Sequence, residues 1–262
     1  EASLHATIIN MAQDFPGSNN INLLFPSGQF GTRLQNGKDA SSPRYIFTRL
    51  SVLTDKLYIQ EDNDNLMYLD DDGFNIEPEK FYPIIPMILA NGTTGIGTGW
   101  STNIPQFNPL DLIKCIEFLL DNKEIDFNLM PWYRNYLGTF QSNGDKSFIN
   151  KGVYEIVNNN TIKILELPIG VTFEEYKEFL DKAVSGLDPK IDWMDNYQDY
   201  STDTNPCFVI LCKPKLLEKF ILDQEPDEYG CNKIHKELKL TKSISLNNMV
   251  LYNKDNILTR YD

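Results

Sequence analysis

Near residue 147 of this 262-residue chain the apolar residues change their spacing, from a helical repeat to a strand repeat. A chain patterned in both ways folds as α+β. In the first part, Ser3 precedes Leu4, Ile8, Met11 and Phe15, whose spacing predicts an amphipathic helix capped by Ser3 and closed by Pro16-Gly17. A short strand over 21–25 then enters a loop containing Gly28, Gly31 and Gly37. Ser42-Pro43 has the chemistry of a helix start, and Ile46, Leu50, Leu53 and Leu57 predict a second helix with Tyr45 and Arg49 off its apolar stripe. Helix, strand, loop and helix suit a winged-helix-like unit. Asn108-Pro109 opens a third helix through Ile113, Ile116 and Leu120. Beyond 147, strands over 152–157 and 161–167 flank an Asn158-Asn159-Asn160 turn and predict a hairpin. Thr172 with Glu175 forms a capping box for a helix through Tyr176 and Leu180. A strand over 207–211, a Lys-rich helical stretch after it and strand-like segments over 243–251 complete the pattern.

With 41% hydrophobic residues the chain can bury a core or two. No charge-free apolar run reaches the roughly 18 to 20 residues that span a bilayer, so no membrane partner is expected. The chain opens inside an amphipathic pattern without an initiator Met, and we read it as a piece of a longer protein. Its four cysteines, Cys115, Cys207, Cys212 and Cys231, show no tight pairing and are read as reduced thiols. A zinc site from Cys207, Cys212, Cys231 and His235 is set aside, because an offset of five within a strand puts the first two thiols on opposite faces. The acidic stretch 62–72, with Asp70-Asp71-Asp72, reads as a solvated loop without the spacing of a calcium loop.

A net charge of −13 is the wrong sign for a nucleic-acid binder, yet its distribution matters more. Residues 28–49 carry Arg33, Lys38, Arg44 and Arg49 against Asp39, four positive charges minus one, or +3 locally. Residues 61–80 carry eight acids against Lys80, and residues 81–110 carry no charge at all. A basic strip, an acidic stretch and a neutral segment leave the partner open.

With only His5 and His235, and no Gly-x-Ser-x-Gly elbow, hydrolase triads are excluded. Gly92-Thr93-Thr94-Gly95-Ile96-Gly97-Thr98-Gly99-Trp100 lacks the Gly-Lys-Ser/Thr ending of a phosphate loop. Within it Ile96, flanked by glycines, has two readings. It is either a plug for the core or a wedge that a closely approaching backbone pushes between base pairs. Tyr45 likewise is either a half-buried amphipath or a phenol that attacks phosphorus. The second role needs a cation for the developing phosphate charge, which Arg44 supplies in bidentate form. It also needs activation, since a free phenol ionises near pH ~10. Arg33 and Lys38 are candidates for neighbouring phosphates.

Four segments in order, Ser18-Asn19-Asn20, Gly28-Gln29-Phe30-Gly31-Thr32-Arg33, Gly37-Lys38-Asp39-Ala40 and Pro43-Arg44-Tyr45-Ile46-Phe47-Thr48, resemble the cleavage-reunion region of eukaryotic-type DNA topoisomerase II. Pro83-Ile84-Ile85-Pro86-Met87-Ile88-Leu89 and the stretch from Asn91 to Thr102 resemble the next motif of that family. The likeness is dense over 1–110. It thins through Glu166-Leu167-Pro168, Tyr176-Lys177-Glu178 and Asn248-Met249-Val250. Gly-Thr-Gly-Trp-Ser and Tyr-Ile-Phe-Thr resemble the eukaryotic and large-DNA-virus enzymes rather than bacterial gyrase.

The resemblance implies an α+β fragment: the C-terminal part of a winged-helix domain with a DNA-wedge loop over 1–106, then an α+β tower domain over 107–262. It implies Tyr45 as the nucleophile forming a 5′-phosphotyrosyl bond, Arg44 as its transition-state stabiliser and Ile96 as the intercalating wedge. Arg33, Lys38 and Ser3 are the further DNA contacts expected. The implied enzyme is an ATP-dependent, homodimeric type IIA topoisomerase acting on double-stranded DNA in the nucleus or at a site of viral DNA replication. Mg²⁺ and ATP would be bound by domains outside this chain, none by the chain itself, so the isolated fragment is expected to be inactive. A non-catalytic DNA-bending or scaffold module of the same fold is the rival expectation. One departure stands out: after Glu-Leu-Pro the family commonly places a basic residue and Thr-Trp, where this chain has Gly170, Val171 and Thr172. That substitution puts a tower contact to DNA in doubt.

Overall fold

The computed structural model describes residues 1–187, 191–213 and 225–261. Helix α1 spans Ala2–Ala12, so Ser3 lies inside it, and Glu1 stands at the N-cap without a side-chain hydrogen bond. The helix also stops short of Phe15. Gln13 turns out of it to donate its side-chain amide to the carbonyls of Phe30 (3.0 Å) and Gly37 (3.2 Å). The Ser18 hydroxyl then closes the turn on Phe15.

The helix predicted from Ser42 through Leu57 does not form. Pro43–Tyr45 is a single 3-10 turn, Ile46 is extended, and helix returns only in α2, Thr54–Leu57. Between them the backbone pairs sideways with the segment predicted as a strand. Phe47 N–H donates to Ser27 (3.0 Å), Phe25 N–H to Arg49 (2.8 Å) and Ser51 N–H to Leu23 (3.0 Å). Ile46, Phe47 and Thr48 are β-branched or aromatic, and with lateral partners available their donors serve a ladder rather than an i−4 helix. Leu50 and Leu53 are exposed and only Leu57 of that stripe is buried. The predicted strand over 21–25 itself contributes the isolated bridge Leu24↔Leu50, followed by Ser27↔Phe47.

The acidic stretch is more ordered than the predicted loop. After a 3-10 segment Gln60–Asn65, strands β1 (Tyr68–Asp71) and β2 (Phe74–Pro78) form an antiparallel hairpin that stays at the surface. Asp72 and Gly73 supply the positive φ values (53° and 84°) that a tight hairpin turn demands. Helix α3 (Met87–Ala90) leads into a second hairpin, β3 (Thr93–Ile96) with β4 (Ser101–Ile104). Helix α4 spans Pro109–Leu120 and Asn108 caps it through the Leu110 N–H (3.0 Å), as predicted. Ile21, Leu57, Ile85, Ala90, Ile104, Phe107 and Leu112 form one core, with Met249 and Leu251 packed against it. Buried Asn20 fastens this core, donating to the carbonyls of Ala90, Phe107 and Trp132 and accepting from Arg134 N–H.

The rest is organised around antiparallel sheets. Strands β5 (Thr139–Ser142), β6 (Ser147–Lys151), β7 (Val153–Asn158) and β8 (Thr161–Glu166) follow in order, then helix α5 (Phe173–Val184). Next come β9 (Met194–Asp199), β10 (Phe208–Cys212), the short helix α6 (Lys233–Glu237), β11 (Thr241–Ser245), β12 (Met249–Tyr252) and β13 (Leu258–Tyr261). One sheet has the order β7-β8-β10-β9, another β11-β6-β5, and β12 pairs β13. The predicted hairpin is β7–β8, and Thr172 with Glu175 makes both halves of the capping box on α5. Of the Lys-rich helical stretch, residues 214–224 lie outside the described residues and Lys233–Glu237 forms α6. On β8 and β10, Ile162, Ile164, Phe208 and Ile210 point one way and pack on Phe173, Tyr176 and Leu180 of α5, forming the second core.

Candidate active site

Two left-handed glycines shape the loop ahead of Tyr45. A side chain on Gly37 (φ 84°) would come within 2.3 Å of Gln13 Nε2, and one on Gly31 (φ 101°) within 2.6 Å of the Gly37 Cα. Backbone crowding at Gly31 admits only glycine, while at Gly37 the positive φ strains any side chain and a Cβ would push aside the Gln13 amide that bonds Phe30 and Gly37. Asp39 braces the same loop by accepting from the backbone N–H and the hydroxyl of Thr32, and Ser41 N–H donates to Gln29 (3.0 Å). From this base the 3-10 turn lifts Tyr45 to the surface. Its N–H donates to Ser42 (3.0 Å) and its side chain is 70% exposed. The Arg44 guanidinium lies 5.5 Å from the Tyr45 ring centroid, so the cation and the phenol share one face of the turn. Tyr45 is therefore not the half-buried amphipath of a helix.

Ile96 is not a core plug either. It ends β3 opposite Ser101 and is 92% exposed, with the turn beyond it closed by Gly97 N–H on Trp100 (2.7 Å). The hairpin that carries it is buttressed from the far end of the chain. Asn103 N–H donates to Asn248 (2.7 Å), Asn248 Nδ2 to the Ser101 hydroxyl (2.6 Å) and Val250 N–H to the Thr102 hydroxyl (3.2 Å). Lys38 and Ser3 are exposed, the latter on α1.

Arg33 departs from expectation. It is 3% exposed, and its guanidinium is held inside the protein by Glu166, 2.6 Å away, rather than presented to a phosphate. A lone buried guanidinium would be costly, and here the carboxylate supplies the opposite charge. The sequence reading misses Glu166, Gln13 and Asn20. For Glu166 a signal is present: it shares strand parity with Ile162 and Ile164, which puts a carboxylate on the core face and demands a cation. Nothing comparable marks Gln13 or Asn20.

Among the described residues no group of three or more His, Cys, Asp or Glu side chains is placed to hold a metal ion, and no helix is long and apolar enough to cross a membrane. Asp70 instead takes the Gly73 N–H (3.2 Å) at the tip of an exposed hairpin.

An exposed Tyr–Arg pair on a glycine-braced turn, within an α+β frame of small sheets, agrees with a match of residues 1–262 to the DNA gyrase/topoisomerase IV A-subunit family model, and the chain belongs to that family. In particular it is a topoisomerase II cleavage-religation region, homologous to the type IIA enzymes. It is 44% identical over an alignment of 263 residues to DNA topoisomerase 2-alpha of Rattus norvegicus, and 42% identical over 262 residues to DNA topoisomerase 2 of Drosophila melanogaster. Each alignment covers 100% of this chain but only 17% and 18% of those proteins. The crystal structure of the Plasmodium falciparum topoisomerase II DNA-binding, cleavage and re-ligation domain superposes with a TM-score of 0.90 at 39% identity, covering 99% of this chain and 34% of that one.

Proposed function

We propose that this chain supplies the DNA-cleaving nucleophile of an ATP-dependent type IIA topoisomerase that opens one duplex, passes a second through it and reseals the break, so relaxing and decatenating DNA. The observation that carries the reading is the exposed Tyr45 with the Arg44 guanidinium over its ring. The Tyr45 oxygen attacks phosphorus, the bond to the 3′ oxygen breaks, and the strand is left with a 3′ hydroxyl and a 5′-phosphotyrosyl link. Because one phosphodiester replaces another, the bond energy is kept for the reverse attack by the 3′ hydroxyl. Arg44 neutralises charge on the phosphate oxygens in the transition state. Ile96 enters the base stack and bends the duplex, while Lys38 and Ser3 face its backbone.

Residues 1–106 serve as the winged-helix part and 107–262 as the tower. A second copy in a homodimer cuts the opposite strand. Mg²⁺ and ATP belong to segments beyond these residues, and no step above runs through them. A nuclear location follows by analogy with the eukaryotic relatives, or a viral replication site if the source is a large DNA virus. The test is Tyr45→Phe in the full-length protein: covalent DNA adducts trapped by denaturant are expected in the wild type and lost in the variant. Adducts that persist in the variant would overturn the assignment. A wild type that bends DNA but forms no adduct would instead identify a non-catalytic bending module.

A further inference from the structure

The loop that precedes Tyr45 is docked onto the second core at three consecutive residues. Arg33 Nη1 pairs with Glu166 Oε1 at 2.6 Å and its Nη2 donates to the Leu167 carbonyl at 2.8 Å. Its guanidinium carbon lies 5.5 Å from the Phe173 ring centroid and 5.9 Å from that of Tyr136. Leu34 packs against the α5 core and its carbonyl accepts from Glu174 N–H, and Gln35 Nε2 donates to Glu174 Oε1 (2.6 Å). Glu166 is itself fixed at the end of β8, accepting the N–H groups of Leu167 (2.8 Å) and Leu137 (3.1 Å), and is 2% exposed. The nucleophile loop is thus joined to the sheet by a dry ion pair in which each charged group also has a directional backbone partner.

A buried pair of this kind gains little net stability over apolar replacements, but removing one partner leaves an uncompensated buried charge and is strongly destabilising. The loop has few other degrees of freedom. Thr32 is tied to Asp39, Gly37 to Gln13, and Ser41 to Gln29, four residues before Tyr45. A shift at Arg33 is therefore passed to the turn that carries the phenol instead of being absorbed on the way. We propose that Glu166 is a positioning residue for DNA cleavage: by holding Arg33 in a dry ion pair it fixes the glycine-rich loop, and through it Tyr45, against the sheet of the second half. The inference rests on the reading of Tyr45 as nucleophile.

The test compares wild type, Glu166→Gln and the double variant Arg33→Met/Glu166→Leu in the full-length protein. Three quantities are measured: thermal melting, DNA affinity, and the single-turnover rate of adduct formation per DNA-bound molecule. Because the rate is taken per bound molecule, partial unfolding does not move it. In the double variant, whose apolar pair leaves no buried charge unmet, affinity is expected to stay at the wild-type level while the rate falls about 10- to 100-fold, the scale set by sub-ångström to ångström misplacement of a reacting group. Glu166→Gln is expected to lower the rate as well as the melting temperature. A double variant cleaving at the wild-type rate would show that the pair only stabilises the fold, and so overturn the inference. Tyr45→Phe is run beside them. Adducts surviving in it would sink the nucleophile reading and this inference together, whereas adducts lost there but unchanged in the double variant would sink the inference alone.

Discussion

An isoleucine that is 92% exposed gives up the roughly 1.5–3 kcal/mol that burying such a side chain would contribute. Its loss should therefore hardly touch the fold. Ile96→Ala is expected to leave thermal stability within about 0.5 kcal/mol of wild type and to reduce the bend of a duplex bound by the full-length protein. The end-to-end distance of a doubly labelled duplex reads this, and an unchanged distance would return Ile96 to the status of an incidental surface residue. Gly37→Ala should behave in the opposite way. Its positive φ strains any side chain and a methyl group would displace the Gln13 amide from its bonds to Phe30 and Gly37, so a loss of about 1–3 kcal/mol is expected in denaturant melts. At this scale the sequence is unevenly legible. Tyr45, Arg44 and Ile96 are singled out by their neighbours in order, but their exposure is not, because spacing alone cannot tell a surface residue from a core one. Arg33 reads as a DNA contact because it sits in a basic strip, when the carboxylate that claims it lies far along the chain at 166.

Elements are legible where their signals are local and fail where partners are distant. Helices α4 and α5 carry their own caps, Asn108 and Thr172, and β7–β8 carries its own turn, so each follows from a dozen contiguous residues. The stripe Ile46, Leu50, Leu53, Leu57 has helical spacing too, yet the edge formed by residues 23–27 takes its backbone donors. The support of the Ile96 hairpin is invisible for the same reason, since Asn248 is remote in sequence. Asn248→Ala is expected to speed hydrogen exchange at the amides of Gly97 and Asn103 while sparing the β7–β8 ladder. Equal protection in variant and wild type would deny the Asn248 side chain a bracing role. Helix α6 adds a pH prediction. Burial holds the His235 imidazole below its ordinary value, with Lys151 adding to the effect and Asp227 opposing it. The unfolded chain thus binds the proton more readily, so stability is intact above pH ~6.5 and falls as the pH drops through the folded-state value. His235→Gln is expected to flatten this part of the melting-temperature profile between neutral and mildly acid pH.

At the scale of the whole molecule, a net charge of −13 surrounds Tyr45, whose immediate cations are few. Eight of the 37 acids fall in residues 61–80, on and around the β1–β2 hairpin, while Arg44 and Lys38 are exposed and Arg33 is spent internally. The long-range field therefore opposes a polyanion, and the few exposed cations near Tyr45 must work against it. The loop that precedes Tyr45 is fastened to the second core through the Arg33–Glu166 pair. Holding is not activating. The phenol's neighbour is a guanidinium, which stabilises charge but takes up no proton. Residues 1–262 alone are accordingly expected to fold, to bind duplex DNA weakly with a steep loss as salt rises, and to form no covalent adduct with supercoiled DNA in Mg²⁺, as read on a denaturing gel. The full-length protein under the same conditions should form adducts. If the isolated chain forms them as well, the group that takes the phenolic proton lies within these residues, and the division of labour proposed between this region and the rest of the enzyme must be redrawn around it.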